Sequence, residues 1–415
     1  MPTDIPPVED RDPAYFAYYR QLTHQQNMLA DVVRTTAYHQ AICINGRPSF
    51  EGKVVMDVGA GSGVLSFFAC QAGAQHVYAV EASDVAHKLQ YLIDQSLITG
   101  ANSQWLKPGQ LEVLKDKVER LATSDACPVA KQSVDIIISE PIGVFLIHER
   151  MLESFVFARD HFLNKQNGIM YPSRGTIHLA PVTDAYLWLD TQTKARWWQQ
   201  TDFHGIDFSP LFPSAKSEYF GMPVVGPVPA LTLLASNTTE AQFTMDFQTI
   251  TVDEMQHFKI PFRWVMETTG IMHALAGWFD CDFIPKNVSQ RTVLSTHPGL
   301  PLTHWQQVRF LLREPLAVNA GDVVVGEMVC QTNAMRSYDL KAVLWIEDAQ
   351  PVSEELVVPQ ERPNSRRSGC WSLEDQTYNY NSQQQQQVQQ QYQQQKDGSA
   401  LDSTREWYGL YSGEN

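Results

Sequence analysis

The chain has 415 residues, 43% of them hydrophobic, ten tryptophans and a formal net charge of −15. That length buries a sizeable core and suits two domains. The acidic balance speaks against a dedicated nucleic-acid binder, which carries a basic stripe, and suits Arg- or Lys-rich partners. The six cysteines stand apart with no C-x-x-C pair, so neither a zinc site nor a redox motif is indicated and buried, reduced thiols are expected. The start of the chain is acidic and proline-rich, unlike a signal peptide. No apolar run approaches the ~20 residues that span a bilayer. A soluble, intracellular protein with no metal, no membrane partner and no direct nucleic-acid partner is expected.

Residues 14–41 carry aromatic, Gln and aliphatic side chains at helical spacing, which predicts one or two helices. Lys53 to Val58 reads as a short buried strand ending in Asp57 and a glycine cluster. A helical pattern follows over Leu65 to Ala72, a strand over Val77 to Val80 and a helix over Ala86 to Leu97. Val134 to Ser139 is a third buried strand, and Met151 to Phe162 a helix. Strands alternating with helices imply an α/β fold with a parallel sheet. After Met170 the pattern changes to short alternating runs: Thr176 to Ala180, Phe243 to Phe247, Ala274 to Phe279, Val323 to Val329 and Ala342 to Ile346. These predict antiparallel β structure, a barrel or a sandwich. Asp184 to Leu211 interrupts it with a helical, aromatic-rich segment, either core or a projecting arm. From about residue 350 order is expected to fade. The Gln-rich run Ser382 to Lys396 lacks the apolar surface to fold by itself, and Trp407 to Tyr411 is an aromatic end.

Chemistry concentrates in two places. Asp57 to Gly63 is a glycine turn between a predicted strand and a predicted helix, where the backbone bends sharply and approaches a ligand closely. Its G-x-G-x-G spacing and the acid just before it favour a nucleoside without phosphates, such as S-adenosylmethionine, over a dinucleotide. Glu81 ends the next strand, about 20 residues beyond Gly59, where an acid accepts ribose hydroxyls. The second place is Ser139 to Met151, whose Glu140 and Glu149 are separated by Pro141 and Gly143. Two carboxylates aimed into one cavity repel unless a cation sits between them. A guanidinium has the planar fork that suits the pair.

With these motifs stand Tyr15-Phe16-Ala17-Tyr18-Tyr19, Gln25-Gln26-Asn27-Met28, Asp31-Val32-Val33-Arg34-Thr35 and Thr303-His304-Trp305. Together they make the chain, from Tyr15 to about Ile346, resemble the type I protein arginine methyltransferases, above all their coactivator-associated (type 4, histone-arginine) branch. The resemblance implies a Rossmann-like class I methyltransferase sheet over residues 42–171, under a helical lid over 14–41. A β-barrel substrate domain would follow over 172–349 with a dimerisation arm at about 184–211, leaving 1–13 and 350–415 as tails. S-adenosylmethionine would be held by Gln25, Arg34 on its carboxylate, Gly59, Gly61, Glu81, Glu119 at the adenine amino group, and Ser154. Glu140 and Glu149 would hold the acceptor arginine, with His304 bonded to Asp31 either relaying a proton or pinning barrel to lid. Tyr15, Tyr19, Met28, Met151 and Trp305 would line the acceptor pocket.

By the same resemblance, Met28 and Met151 leave room for asymmetric dimethylarginine as the product. Partners would be a second copy of the chain and arginine-containing proteins: histone H3, RNA-binding proteins and transcription factors. The location would be nucleus and cytoplasm. The loop departs from its relatives at Val144, where Tyr is usual, and at His148, where Asn or Tyr is usual. The short stretch ahead of Tyr15 leaves no room for the extra N-terminal domain of the animal branch members.

Overall fold

The computed structural model describes residues 12–286, 290–353 and 356–379. Five strands form the first sheet: β1 (Val54–Val58), β2 (His76–Val80), β3 (Leu111–Leu114), β4 (Ile136–Ser139) and β5 (Ile169–Tyr171). All pairings are parallel and the order is β3-β2-β1-β4-β5. The near-continuous aliphatic runs of β1 and β4 follow from helices covering both faces, which leaves few positions for polar side chains. The strand order reverses beside β1, and at such a switch point the carboxyl ends of the strands open a crevice. Register places the chemistry there: Val58 lies opposite Val80 on β2 and Ser139 on β4. Gly59, Glu81 and Glu140 are the next residues of those three strands, so they leave the sheet at one level.

Residues 12–39 form three helices, Asp12–Tyr19, Leu22–Ala30 and Val32–His39, where one or two were expected over 14–41. A π-turn at Gln40–Asn45 and a short helix at Arg47–Phe50 lead on to the sheet. The break between Leu22–Ala30 and Val32–His39 is set by Asp31, whose backbone is extended (φ −70°, ψ 96°) and whose side-chain Oδ1 caps Val32–His39 by accepting from the Arg34 amide at 2.9 Å. The helices expected near Leu65, Ala86 and Met151 run over Val64–Gln71, Val85–Ser96 and Met151–Phe162. Strand β3, too short and polar to stand out, was not legible in advance.

The second half holds β6 (Arg174–Val182), β7 (Val224–Gly226), β8 (Gln242–Asp246), β9 (His257–Val265), β10 (Gly270–Phe283), β11 (Thr292–Ser295), β12 (Gln307–Val318), β13 (Val323–Thr332), β14 (Tyr338–Ser353), β15 (Leu356–Glu361), β16 (Arg367–Ser372) and β17 (Thr377–Tyr378). One sheet runs β17-β7-β12-β10-β6-β8 with β11 on β10; the other runs β15-β14-β13-β9 with β16 on β14. Apart from the parallel β17–β7 pair the ladders are antiparallel. Strand β9 shows the reason most plainly: its residues alternate exposed and buried along its length, putting Phe258, Ile260, Phe262 and Trp264 inside. Phe262 and Trp264 stack with ring centroids 4.3 Å apart.

The same core continues into the parallel sheet, so the two halves are packed as one body. The chain does not lose its order near residue 350. Trp371 on β16 is buried and donates from Nε1 to the Leu311 carbonyl at 3.1 Å, fastening this late strand to β12. One buried aromatic anchors a segment whose polar composition hid it. The Gln-rich run and the aromatic end at Trp407 lie outside the described residues.

The segment expected as core or arm contains the helix Ala185–Arg196, tight turns at Trp197–Gln199 and Ser209–Leu211, and leads into a helix at Phe212–Gly221. Asp184 caps the first helix through the Leu187 amide (3.0 Å) and also meets Arg309 Nη1 at 2.8 Å. Arg309 is buried, and its Nε and Nη2 have no partner among the described residues. Asp184→Ala therefore strands a buried guanidinium charge and should cost about 3 kcal/mol of stability, read as a lower denaturant midpoint. Arg309→Met in the same background should recover part of that loss.

Candidate active site

The glycine turn is shaped by its neighbours as much as by its own sequence. Gly59 and Gly61 have φ of +74° and +56°, a region that favours glycine. A Cβ on Gly61 would lie 2.7 Å from Gln25 Oε1, and one on Gly59 would lie 3.0 Å from Met151 Cε. Both glycines thus make room for side chains that close over the turn. Gln25 accepts from the Ser62 amide at 3.0 Å and donates to the Tyr19 carbonyl at 3.0 Å, tying the N-terminal helices to the turn.

Glu81 accepts from the Gly61 amide (2.9 Å) and the Ser83 amide (2.6 Å), which orients its carboxylate at the turn. Glu119 accepts from the Ser154 hydroxyl at 2.6 Å, so these two expected contacts form one polar unit. Behind the turn Asp57 is fully buried; Oδ2 accepts from Ser66 Oγ at 2.6 Å while Oδ1 has no partner among the described residues. Burial pushes its carboxyl up to about 7, with the Ser66 hydrogen bonds opposing.

The double-glutamate loop is strained. Phe145, Leu146, Glu149 and Arg150 all have positive φ, from 56° to 72°, without being glycine. Each such residue costs of order 1–3 kcal/mol and persists because its surroundings fix it. Here the fixing contacts are visible. Trp305, buried in the turn just before β12, donates from Nε1 to the Ile142 carbonyl at 2.9 Å. His148 Nδ1 meets Ser337 Oγ at 2.9 Å, and Arg150 donates to the Asn333 carbonyl at 3.0 Å while pairing with Glu153 at 2.7 Å. Burial lowers the His148 pKa to about 4, so this ring adds no positive charge beside the glutamates at neutral pH.

Glu140 Oε2 accepts from Arg34 Nη2 at 2.9 Å and Nε at 3.2 Å, and its Oε1 accepts from the Ile142 amide at 3.2 Å. Arg34 Nη1 donates to the Met28 carbonyl at 3.1 Å. In this form Arg34 is therefore committed to Glu140, an ion pair that sequence reasoning did not anticipate. Both oxygens of Glu149 accept from Tyr19 Oη, at 2.9 and 2.8 Å. Burial and then the nearby Glu140 push the Glu149 carboxyl up to about 7, against the Tyr19 and Tyr15 hydrogen bonds and the positive Arg336. Burial and Glu149 together hold the Tyr15 and Tyr19 phenols well above their ordinary value, so both stay protonated donors.

Asp31 ties this machinery together. Its Oδ2 accepts from both the His304 amide (2.8 Å) and His304 Nδ1 (2.7 Å). Burial alone would raise its pKa, but the His304 and Arg34 hydrogen bonds outweigh it and hold the carboxyl below its ordinary value. With Nδ1 donating, His304 leaves Nε2 for the cleft that the residue lines.

All the sequence-predicted site residues except Asp31 line a single cleft of about 1590 Å³: Tyr15, Tyr19, Gln25, Met28, Arg34, Gly59, Gly61, Glu81, Glu119, Glu140, Glu149, Met151, Ser154, His304 and Trp305. Val144 and His148 lie on its wall as well. Sequence reasoning missed Arg336, Gln376 and Tyr378, which reach the cleft from the far half of the chain. No local motif marks them; only the folding of late strands onto the site brings them there. Among the described residues there is no His, Cys, Asp or Glu cluster able to hold a metal, and no helix long and apolar enough to cross a membrane.

Solved structures share this parallel sheet joined to an antiparallel half. The Trypanosoma brucei PRMT1 enzyme–prozyme heterotetrameric complex with AdoHcy is similar at 28% identity and a TM-score of 0.66, covering 85% of this chain and 99% of that one. An open conformation of Arabidopsis thaliana protein arginine methyltransferase 10 is similar at 26% identity and a TM-score of 0.71, covering 86% and 100%. Residues 173–349 match the arginine methyltransferase oligomerization subdomain, and residues 41–91 match ribosomal protein L11 methyltransferase.

Among curated proteins, a probable histone-arginine methyltransferase CARM1 of Oryza sativa is 43% identical over 340 residues, 81% of this chain and 60% of the relative. Histone-arginine methyltransferase CARMER of Anopheles gambiae is 39% identical over 355 residues, 86% of this chain and 53% of the relative. The chain thus spans little more than half the length of the curated relatives it matches. It belongs to the protein arginine methyltransferase family.

Because Asp31 caps the helix Val32–His39 and holds His304, Asp31→Ala should speed amide hydrogen exchange across residues 32–39 and around 303–305. A cap of this kind contributes about 1 kcal/mol, and Asp31→Asn should lose less of it. Unchanged exchange in Asp31→Ala would show that the node is held by other contacts.

Proposed function

We propose that the protein is a type I, S-adenosylmethionine-dependent protein arginine methyltransferase that forms monomethyl- and asymmetric dimethylarginine on histones and other proteins. The observation that carries this is the charge count at the double-glutamate loop. Two carboxylates share one wall of the cleft, and Arg34 matches one of them. Glu149 is held only by neutral phenol donors in its direct hydrogen bonds. An incoming guanidinium can take both oxygens of Glu149 in a bidentate, charge-assisted fork that the phenols do not supply.

The residues present fit the methyl donor. Glu81 offers acceptors at the ribose position of such folds, Glu119 offers one for an exocyclic amine, and Gly59 and Gly61 let the backbone approach. The buried, unpartnered Asp57 Oδ1 behind the turn disfavours a phosphate there. S-adenosylmethionine would supply a methyl group on a positively charged sulfur.

The chain's residues do the rest. Glu149, with Glu140 behind it, would fix the acceptor arginine and draw positive charge toward the bound nitrogens, leaving the attacking one more electron-rich. Tyr15 and Tyr19, donors from the lid, steer the Glu149 carboxylate and exclude water as the lid closes. Met151, packed on the glycine turn, and Met28 border the transfer point and leave space for a second methyl. Arg34 would orient Glu140 first and meet the donor's carboxylate second. His304 serves chiefly to position the lid through Asp31, with Nε2 available to the released proton.

The arm supports a homodimer. Tyr186, Leu189 and Trp197 stand 69%, 57% and 48% exposed along it, large apolar side chains that a partner surface can cover. Trp197 packs against Trp198 and Phe203 at 5.1 and 5.7 Å, which keeps the arm's end rigid. Histone H3, RNA-binding proteins and transcription factors are the proposed substrates, and nucleus and cytoplasm the proposed location, on the relatives' names and the family resemblance.

Glu149→Gln keeps size and one hydrogen-bonding oxygen but removes the charge. Transfer to a histone or arginine-rich peptide should fall more than 100-fold while S-adenosylmethionine binding, followed by calorimetry, stays within threefold. The wild-type kcat/KM should rise with pH through an apparent value near 7, since only the ionised Glu149 holds a guanidinium. Mass spectrometry showing symmetric dimethylarginine would overturn the product assignment. In solution at micromolar concentration the chain should have twice its monomer mass, and Trp197→Asp with Leu189→Asp should return it to one.

A further inference from the structure

Four arginines line the cleft, Arg34, Arg120, Arg150 and Arg336, and of these Arg336 stacks on Tyr15 beside Glu149. Arg336 belongs to the turn joining β13 to β14, and it lines the cleft with its ring-plane partner Tyr15. The guanidinium carbon lies over the Tyr15 ring at 4.5 Å from the centroid. Its charge reaches Glu149 and Tyr15 strongly enough to act on both their titrations. Arg336 has interactions beyond these in the resting chain.

Its place is built, not accidental. The turn is clamped at both ends to the double-glutamate loop, by Arg150 on the Asn333 carbonyl at 3.0 Å and by His148 on Ser337 Oγ at 2.9 Å. Arg336 itself has φ +56°, a conformation that costs energy for a side-chain-bearing residue and turns it toward the loop. Asn333 Oδ1 holds the turn by accepting from the Met335 and Ser337 amides at 2.9 and 3.2 Å. The residues flanking Glu149 in sequence thus fix a positive charge beside Glu149 in space.

We propose that Arg336 reads the charge of the peptide beside the acceptor arginine, favouring an acidic flanking residue and disfavouring a basic one. This rests on the arginine methyltransferase reading and deepens it to a substrate class. A peptide whose arginine enters toward Glu149 comes within the field of Arg336, since both line the same cleft and their charges interact. A flanking carboxylate can pair with the guanidinium fork, exchanging with its resting contacts. A flanking Lys or Arg would be held next to a like charge in a partly desolvated wall. The Tyr15 ring keeps the guanidinium in place, since stacking and cation–π attraction restrict its rotamers.

The test uses the full chain and three sets of peptides, identical except for Glu, Gln or Lys scanned through the three positions on either side of one arginine. For wild type, kcat/KM should favour Glu over Lys at least fivefold at one or more positions, and added salt should shrink that ratio. Arg336→Gln should bring the ratio within twofold, while Arg336→Lys, which keeps the charge, should retain most of it. Arg263→Gln, on an exposed barrel strand away from the cleft, should leave the ratio as in wild type. A flat wild-type ratio at every position, or one that survives in Arg336→Gln, overturns the inference even if the overall rate falls. Transfer to none of the peptides by the wild type would instead remove the arginine methyltransferase reading on which it rests.

Discussion

A single buried carboxylate, Asp31, joins the three parts of the molecule that have to meet. It ends one helix and caps the next, holding the Arg34 amide at 2.9 Å. It also binds the backbone and the ring of His304 from the other half of the chain. Arg34 then reaches Glu140 at the end of β4. A path of charge-assisted hydrogen bonds in a low-dielectric interior therefore runs from the antiparallel half through the N-terminal helices to the parallel sheet. Removing any one link leaves a buried polar group without its partner, and such a group costs more than an average hydrogen bond contributes.

The constraint explains why the double-glutamate loop can hold an unfavourable backbone. Four residues in it have left-handed φ without being glycine. Trp305, His148 and Arg150 fasten the loop at three points to elements more than 150 positions away in sequence. Strain of this kind aims the two carboxylates, one bound to Arg34 and one left to neutral phenols. The difference in partners separates two chemically identical groups. It is the physical content of the proposed acceptor site, for it leaves Glu149 with phenol donors rather than a cation in its direct hydrogen bonds.

Much of the site was legible because its residues sit at strand ends, where register turns sequence position into place. Gly59, Glu81 and Glu140 follow residues that are paired across β1, β2 and β4. The glycine turn could be assigned to a nucleoside on spacing and on its preceding acid. The double-glutamate loop announced itself by two acids around a proline and a glycine. By contrast, the pairing of Arg34 with Glu140 was hidden, since nothing local distinguishes one arginine's partner from another's. Strands β15 to β17 were hidden for a different reason. Their polar, mixed composition reads as a fading end until Trp371 is seen buried against β12.

The sequence by itself determined the alternation of strands and helices, the antiparallel second half and the residue types that crowd the cleft. Hydrophobic period and turn chemistry are local, so they survive without a structure. Only the tertiary structure decided which charges meet. The Asp31–His304 and Arg34–Glu140 contacts, and the place of Arg336 beside Tyr15 and Glu149, join residues about 100 to 320 positions apart. Electrostatic partners are fixed by distance and burial in space, and neither quantity is carried by the spacing of residues along the chain.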